Sequence, residues 1–273
     1  MILLLVSIII ITLNEAKNLE LTIKSSRNAA LMSTGKKLPI EVIVSDGGST
    51  DGTLELAEEV ADKVVHSQKG RYRQLNIGAK ASRGDILLFL HADTILPRGA
   101  ILRIVNCFQD SKVLGGGFKK HWNWSPNIAL SKFLDFSVKF WQGFGNWLTH
   151  LIKEFPGDNA FFIKREVFDQ LNGFSPMWIC EDFDLSRRLL KFSKKIEKNL
   201  FKKIRYRKKI AYILSPVKTS TRRFETYGFF KSVYLWFKIY LLWRVDFSQD
   251  QLRNLVPRYK TIPQYTKRSI LRF

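Results

Sequence analysis

The pattern of apolar and polar positions over the first hundred residues alternates between short apolar runs and longer stretches with helical periodicity. The apolar runs are rich in Val, Ile and Leu, as strands buried on both faces are. We predict strands at 3–11, 40–45, 63–66 and 85–90, and helices at 14–27, 51–60, 71–80 and from Pro97 onward. This alternation predicts right-handed β-α-β units and therefore an α/β fold, a three-layer α/β/α sandwich with a mostly parallel sheet.

The pattern changes after Gly115-Gly116-Gly117, where residues 122–147 are crowded with aromatic side chains. They include Trp124, Phe133, Phe136, Phe140, Trp141 and Phe144. We expect most of them to form core or a cover over the sheet edge, with an acceptor platform or a membrane-facing patch as the alternative. The predicted organisation is a domain at 1–215, with halves near 1–110 and 111–215, followed by a basic, aromatic segment at 216–273.

Two of the predicted strands end on an acidic residue in a turn. One is E-V-I-V-S-D-G-G-S-T-D at Glu41–Asp51, and the other is G-D-I-L-L-F-L-H-A-D-T at Gly84–Thr94. Carboxylates at the carboxyl ends of parallel strands lie where such sheets bind ligands. Asp46 and Asp93 are therefore candidates for a nucleotide site, and Asp93 for Mg²⁺ or Mn²⁺ shared with diphosphate oxygens.

Each of these residues also has an ordinary structural explanation. Asp46 could organise its turn, and Asp51 is better explained as the N-cap of the next helix, in S-T-D-G-T. Asp93 could cap the helix near Pro97, and a structural role is favoured for His91.

A third acidic cluster opens a helix in the second half of the domain, at W-I-C-E-D-F-D-L-S-R-R-L-L. The helix dipole favours acidic residues at a helix N-terminus, which explains one such residue better than three. The three are Glu181, Asp182 and Asp184. Clustering raises the pKa of a carboxylate towards that of a useful general base.

The chain of 273 residues carries 45 Lys and Arg against 24 Asp and Glu, a net charge of +21. Such a field favours anionic partners, namely nucleic acid, nucleotide phosphates or an anionic membrane surface. Ten basic residues and one acidic residue fall within 191–209, which could be a solvated face or a membrane-binding run. The guanidinium groups of Arg71, Arg73, Arg222 and Arg223 are candidates for diphosphate contacts.

Two apolar segments raise the question of membrane insertion. The N-terminal run lacks a basic n-region and a cleavage site and is too short to span a bilayer, so we interpret it as a strand. Phe229–Trp243 is broken by Lys231 and Lys238, which lie seven residues apart and so on one helical face. We predict an amphipathic helix there, which packs either on the preceding domain or on a membrane surface. The two cysteines, Cys107 and Cys180, have no metal-ligand spacing and favour a reducing cytoplasmic compartment.

Four motifs together resemble family 2 glycosyltransferases, in the order found there: S-I-I-I-I-T-L-N-E, V-S-D-G-G-S-T-D-G-T, G-D-I-L-L-F-L-H-A-D-T, and G-D-N-A-F-F-I-K-R-E-V-F with G-F and E-D-F-D-L-S-R-R. The resemblance covers residues 5–192. K-G-R-Y-R-Q-L-N-I-G-A and T-S-T-R-R-F extend it to about residue 228 and are similar to a bacterial subgroup of small, single-domain members. It implies the A-type glycosyltransferase fold.

The resemblance implies a role for each matching position. Glu15 and Asp46 would contact the nucleoside of a sugar nucleotide, with Asn14 in the same motif. Asp93 corresponds to the last carboxylate of a D-x-D motif and would bind the metal–diphosphate, although the motif here is His91-Ala92-Asp93. Asp182 corresponds to the general base, with Glu181 as its supporting neighbour. The Q-x-x-R-W motif of processive synthases does not follow Asp182.

The predicted function is therefore that of an inverting, non-processive glycosyltransferase. It would use a nucleotide-sugar donor together with Mg²⁺ or Mn²⁺. The acceptor would be an unidentified hydroxyl compound, for which a lipid-linked molecule is one candidate. We expect it in the cytoplasm, on the inner face of the membrane, with no nucleic acid partner. Two alternatives are a non-catalytic basic binding module and a sugar-nucleotide pyrophosphorylase. The second is disfavoured because Thr12–Glu15 is not a Gly-rich basic loop.

Overall fold

A computed structural model describes residues 4–123, 132–199 and 209–245, together with residues 252 and 255. The chain divides into two compact units after Thr221. The first contains the whole sheet, and the second begins at Arg222. Trp124 and much of the basic run at 191–209 lie outside the described residues.

The described residues of the first unit form one sheet of eight strands, in the order β3-β2-β1-β4-β7-β6-β8-β5. The strands are β1 (Val6–Thr12), β2 (Ile40–Asp46), β3 (Lys63–His66), β4 (Ile86–His91), β5 (Thr94–Ile95), β6 (Val113–Trp122), β7 (Phe162–Lys164) and β8 (Lys209–Thr219). The first four are parallel to one another, β6 pairs in parallel with β8, and β7 runs antiparallel between β4 and β6. The predicted α/β fold with a mostly parallel sheet is confirmed.

The other regular elements of the described residues are helices and one short 3-10 turn. They are α1 (Ala16–Ala29), α2 (Thr53–Val60), α3 (Arg71–Ala81), α4 (Ala100–Cys107), α5 (Lys132–Ile152), the 3-10 turn (Gly157–Asn159), α6 (Arg165–Gln170), α7 (Glu181–Asn199), α8 (Arg222–Tyr227) and α9 (Phe229–Arg244). The predicted start of a helix at Pro97 is wrong: Gly99 is the N-cap of α4, and the amide of Ala100 donates to the carbonyl of Pro97 at 3.1 Å.

Alternating side chains of the central strands supply two cores, one on each face of the sheet. Ile8 and Ile10 of β1 pack with α1, α2 and α4 side chains on one face. Ile9 and Ile11 pack with α3, α6 and α7 side chains on the other. Both sets are fully or almost fully buried, which explains why β1 has a continuous apolar sequence. The three layers agree with the predicted sandwich.

The parallel pairing brings the carboxyl ends of four strands to one edge of the sheet. Thr12 at the end of β1 is in register with Asp46, and Ile11 is in register with His91 at the end of β4. Asp46 is in register with His66 at the end of β3. This edge therefore carries both acidic turns that the sequence predicts to form a ligand site.

The aromatic residues of α5 differ from the sequence expectation. Exposed fractions are 66% for Phe136, 56% for Phe140 and 57% for Trp147. The side of α5 that faces the sheet carries smaller or polar residues, and Asn146 and Thr149 are buried there. The expectation that most of these aromatics form core or cover is therefore wrong for α5.

The second unit contains α8 and α9 among its described residues. Phe224 of α8 packs against Phe229 and Trp236, with ring centroids 5.1 and 5.5 Å away. Lys231 and Lys238 are both exposed on α9, as the predicted amphipathic helix requires. Among the helices of the described residues, none combines the length and the apolar character needed to cross a bilayer.

Candidate active site

Asp46 ends β2 with its carboxylate buried and held by its own turn. One oxygen accepts hydrogen bonds from the hydroxyls of Thr12, at 3.0 Å, and Ser49. The other accepts from the amides of Gly48 and Ser49, at 2.8 and 2.9 Å. Burial alone would raise the pKa of Asp46, but these hydrogen bonds outweigh it and lower the pKa. Asp46 therefore stays ionised and fixes the shape of the turn, and its contact with a nucleoside stays a prediction.

The loops that follow β1 and β2 are joined by a reciprocal pair of hydrogen bonds. The amide of Asn14 donates to the Ser49 hydroxyl, and the side-chain oxygen of Asn14 accepts from the amide of Thr50, both at 2.9 Å. Asn14 has a positive φ of 56°, a conformation that asparagine tolerates better than most residues. The adjacent Glu15 amide donates to the Thr53 hydroxyl at 2.8 Å. Asn14 and Glu15 thus lie at the same edge as Asp46.

Asp51 lies one residue before the N-cap of α2. The N-cap is Gly52, and the carboxylate of Asp51 accepts a hydrogen bond from the amide of Thr53 at 3.1 Å and another from its hydroxyl. The other carboxylate oxygen accepts from the amide of Ala16, at 3.4 Å. Asp51 therefore stabilises the start of α2, although the predicted N-cap position is one residue too early.

Asp93 lies in the turn between β4 and β5, partly exposed at the same edge. No group of three or more His, Cys, Asp or Glu side chains within the described ranges is arranged to hold a metal ion. A single carboxylate nevertheless fits Mg²⁺ or Mn²⁺ when water and substrate phosphates supply the other oxygen ligands. The donor set is therefore compatible with a metal that binds together with a diphosphate.

Glu181 and Asp182 form the first turn of α7. The buried carboxylate of Glu181 pairs with Arg71 at two points, Oε1 to Nε at 2.7 Å and Oε2 to Nη2 at 3.3 Å. Burial raises the pKa of Glu181, and the charge of Asp182 adds to the increase while Arg71 opposes it. Arg71 therefore lies against the acidic pair and compensates part of its charge.

Asp182 is held from two sides. Its Oδ1 accepts from the amide of Phe183 at 2.8 Å, and its Oδ2 accepts from the amide of Gly157. Burial raises the pKa of Asp182, as does the charge of Asp158, although Arg71 and the two amides act against the increase. A half-buried carboxylate with a raised pKa at a sheet edge has the properties of a general base.

The third acid of the cluster has a different role. Asp184 Oδ2 accepts hydrogen bonds from the Ser175 hydroxyl at 2.6 Å and from Arg188 Nε at 2.7 Å. Arg188 in turn donates to the carbonyls of Leu171 and Gly173. Asp184 therefore ties α7 to the loop after α6, and Glu181 and Asp182 remain the chemical candidates.

Arg73 is held at the first turn of α3 by two aromatic residues. Its guanidinium carbon lies 5.4 Å from the ring centroid of Tyr72 and 5.7 Å from that of Trp178. Arg73 also donates to the Tyr72 hydroxyl at 2.8 Å and to Gln68 Oε1 at 2.7 Å. Arg222 and Arg223 begin α8 in the second unit. Diphosphate contacts by these arginines and by Arg71 stay predictions.

Sequence reasoning did not single out the 3-10 turn that faces Asp182. A Cβ at Gly157 would lie 2.6 Å from His91 Nε2 and 3.1 Å from Asp182 Oδ2, so a larger residue would require the His91 ring to move. The next residue, Asp158, forms an ion pair with the buried Lys120 at 3.2 Å. The motif G-D-N was visible in the sequence, but its contact with Asp182, which lies 25 residues away, was not.

Comparison with protein families matches residues 7–171 to the family described as "Glycosyl transferase family 2". The probable glycosyltransferase YdaM of Bacillus subtilis is 25% identical over 189 residues, which is 64% of this chain and 44% of that protein. The glycosyltransferase AglE of Haloferax volcanii is 38% identical over 95 residues, 32% of this chain and 30% of that protein. The chain thus spans less than half the length of these curated relatives.

Solved structures share the fold at low sequence identity. The crystal structure of S. aureus TarS has a TM-score of 0.53 and 12% identity, and the match covers 93% of this chain and 42% of that chain. Glucosyl-3-phosphoglycerate synthase from Mycobacterium tuberculosis, crystallised with Mn²⁺, UDP and glucosyl-3-phosphoglycerate, has a TM-score of 0.52 and 19% identity. That match covers 82% of this chain and 75% of the synthase. These likenesses identify the A-type glycosyltransferase fold.

Proposed function

Because the chain belongs to glycosyl transferase family 2, we propose that it transfers one sugar from a nucleotide diphosphate donor to an acceptor hydroxyl, with inversion at the anomeric carbon. The observation that carries the proposal is the environment of Asp182. Its carboxylate is held by the amides of Phe183 and Gly157, and burial and Asp158 raise its pKa. A base of this kind suits deprotonation of an alcohol near neutral pH better than an ordinary surface aspartate does.

The proposed step is a direct displacement. The acceptor oxygen loses its proton to Asp182 and forms a bond to the anomeric carbon of the sugar. The bond between that carbon and the diphosphate oxygen breaks, and the nucleoside diphosphate leaves with the electron pair. One displacement at carbon inverts its configuration, so the product has the opposite anomeric form from the donor.

The donor would bind at the edge formed by the ends of β1, β2 and β4. Asn14, Glu15 and Asp46 would form the nucleoside end of the site, where the hydrogen bonds between the two loops hold the backbone in place. Asp93 would hold a divalent cation, which stabilises negative charge on the departing diphosphate. Arg71 and Arg73 would add positive charge to the diphosphate site. The Mn²⁺ and UDP in the mycobacterial synthase structure support this choice of ligands.

Glu181 would act on Asp182 rather than on substrate, because its own carboxylate is paired with Arg71 at 2.7 Å. The pair keeps positive charge near the base, which limits the increase in the pKa of Asp182. Glu181 and Arg71 are therefore proposed as positioning residues of the acceptor side, a second role for Arg71 beside the diphosphate contact.

We further propose that the protein works at the inner face of a membrane, with a lipid-linked acceptor. The support is the net charge of +21 and the α9 helix, where Phe230, Tyr234 and Phe237 are exposed beside Lys231 and Lys238. Aromatic and basic side chains on one face suit a helix that lies in the membrane interface.

The most direct test is a thermal-shift panel of nucleotide sugars, each with and without Mn²⁺. A ligand that binds only the native state stabilises the protein, and the stabilisation grows with the logarithm of the ratio between ligand concentration and dissociation constant. One donor should raise the melting temperature more with Mn²⁺ than without it, and the anomeric form of the product it yields can then be read by NMR. A panel in which no sugar nucleotide shifts the melting temperature would oppose the proposal.

A further inference from the structure

Helix α5 carries a stripe of large apolar side chains on its solvent side. Its members repeat every three or four residues, and each is substantially exposed: Phe136 66%, Phe140 56%, Phe144 39%, Trp147 57% and Leu151 63%. Residues with this spacing lie above one another on one face of a helix. The stripe is about 22 Å long at the usual helical rise.

The opposite side of α5 anchors the helix to the sheet by polar contacts. Asn146 exchanges hydrogen bonds with the backbone of Lys120, at 3.0 and 2.9 Å. Gln142 accepts from the amide of Trp122 at 2.6 Å. The helix is therefore fixed with its polar and small side chains inward and its apolar stripe outward, the reverse of a normal surface helix.

Neighbouring rings of the stripe lie close to one another along the helix. Phe136 and Phe140 are stacked at 6.4 Å between centroids, and Phe144 and Trp147 lie 5.9 Å apart. These contacts within the stripe leave more than a third of each side chain exposed to water. A contiguous apolar patch of this size indicates a surface that another body covers.

The charges beside the stripe indicate what that body is. Lys132 and Lys139 are exposed on α5, and Asp135 is paired with Lys139 at 2.6 Å. A second copy of the chain would bring a net charge of +21 against the same charge, which opposes self-association. An anionic surface is attracted instead, and Phe and Trp with flanking Lys are the composition of helices that lie in a membrane interface.

We propose that α5 is a membrane-docking helix that inserts its stripe of Phe136, Phe140, Phe144, Trp147 and Leu151 into the interface of an anionic bilayer. The helix ends at Ile152, and the 3-10 turn that contacts Asp182 begins at Gly157. Docking by α5 therefore brings the bilayer to the part of the chain that leads directly into this turn. This surface lies in the first unit, whereas α9 belongs to the second.

The test uses the full chain and vesicles, without donor or metal, so that its outcome does not depend on glycosyl transfer. Vesicles of phosphatidylcholine alone are compared with vesicles of phosphatidylcholine and phosphatidylglycerol. The variant is Phe140→Glu with Trp147→Glu, and the matched control is Leu21→Glu, which alters a leucine of α1 that is 59% exposed. Circular dichroism and melting curves establish that each variant is folded.

The expected result is that the wild-type chain co-sediments with the mixed vesicles and not with phosphatidylcholine alone. The double variant should lose about tenfold or more in partitioning, because two charged side chains replace aromatic groups at the interface. Leu21→Glu should bind as the wild type does, and Phe140→Leu with Trp147→Leu should retain most of the binding. Brominated lipids should quench Trp147 fluorescence, and Trp147→Phe should reduce the quenching.

Three outcomes would overturn the proposal. One is equal vesicle binding by the wild type and the folded Glu double variant. Another is an equal loss in Leu21→Glu. The third is a wild-type dimer in sedimentation equilibrium that the Glu double variant converts to monomer, with no vesicle binding by either, which would assign the stripe to a second copy of the chain.

Discussion

Arg71 and Glu181 lie 110 residues apart in the sequence and form a two-point ion pair, with Nε 2.7 Å from Oε1. The pair joins the first turn of α3 to the first turn of α7. Because Glu181 is buried and Asp182 follows it directly, the pair controls the charge around the proposed base.

Replacement of Asp182 by asparagine should abolish sugar transfer and leave donor binding nearly intact. The amide keeps the size of the side chain but cannot take the acceptor proton, and loss of a general base costs about 10²–10⁴ in rate. Turnover is measured with the donor that the thermal-shift panel identifies. Asp184→Asn is the control. Asp184 accepts hydrogen bonds from Ser175 and Arg188, so its replacement should lower the stability of the fold more than the rate of transfer. Equal turnover by Asp182→Asn and the wild type would contradict the assignment.

Arg71→Gln should lower the free energy of unfolding by about 3–5 kcal/mol, because it leaves the buried Glu181 carboxylate unpaired. The double variant Arg71→Gln with Glu181→Gln should recover part of this loss, since no unpaired charge then remains. Urea unfolding is measured for the wild type, the single variants Arg71→Gln and Glu181→Gln, and the double variant. The surface pair of Lys24 and Glu20 is the comparison, where Lys24→Gln should change stability by less than about 0.5 kcal/mol. Strictly additive effects of the two substitutions at 71 and 181 would refute the coupling.

The midpoint of the acid limb in the pH profile of kcat/KM should lie above pH 3.8, the ordinary pKa of aspartate. The reason is that burial and the charge of Asp158 raise the pKa of Asp182. The base must be ionised, so activity falls as pH decreases through this raised pKa. Asp158→Asn removes a negative charge and should shift the limb to lower pH. Glu20→Gln on the surface of α1 should leave the limb in place. A limb that moves equally in both variants would rule out Asp158 as a cause.

Glu181 should make the native state less stable as pH rises. Its pKa is raised above the ordinary value of 4.5, so between 4.5 and the raised value the native state binds more protons than the unfolded state. Its favourable contribution is complete below pH 4.5 and is lost as pH rises through the native pKa. The unfolding free energy of Glu181→Gln should therefore fall less than that of the wild type over this range. Identical pH slopes for the two chains would show that Glu181 has an ordinary pKa.

Asp93→Ala should weaken metal-dependent binding of a nucleoside diphosphate more than Asp51→Ala does. Asp51 accepts a hydrogen bond from the Thr53 amide at 3.1 Å and stabilises the start of α2, so its loss should cost about 0.5–2 kcal/mol of stability instead. Calorimetric titration with and without Mn²⁺ separates the two effects. Lost affinity in Asp51→Ala with unchanged affinity in Asp93→Ala would mean that the roles are reversed.

The fold, and the edge of the sheet at which the candidate site lies, could be predicted from the sequence because both depend on local patterns. Apolar runs predicted β1, β2 and β4, and turn residues after them placed Asp46 and Asp93 at one edge once the strands are parallel. The pairing of Arg71 with Glu181 and the contact of Gly157 with Asp182 could not be predicted, because they depend on how α3, α7 and the 3-10 turn meet around the sheet.

The side chains of α5 illustrate a different limit. Helical spacing of aromatic residues predicts one apolar face, but it does not say whether that face is turned towards the core. Here Asn146 and Thr149 are buried, and Phe136 and Trp147 are exposed. Similarly, on the predicted amphipathic helix α9, Phe237 is exposed and Trp243 is buried. Orientation is decided by contacts with distant strands, which the period alone does not contain.

The reciprocal hydrogen bonds between Asn14 and the Ser49–Thr50 segment hold the loops after β1 and β2 together, so that the two loops move as one unit. A substitution that reshapes one loop displaces the other, so the two loops that would form the nucleoside end of the donor site cannot be altered independently. A change of preference for the nucleobase of the donor would therefore require paired substitutions in both loops. Libraries that vary residues 13–15 and 47–50 together should yield variants with altered donor preference more often than libraries that vary either loop alone.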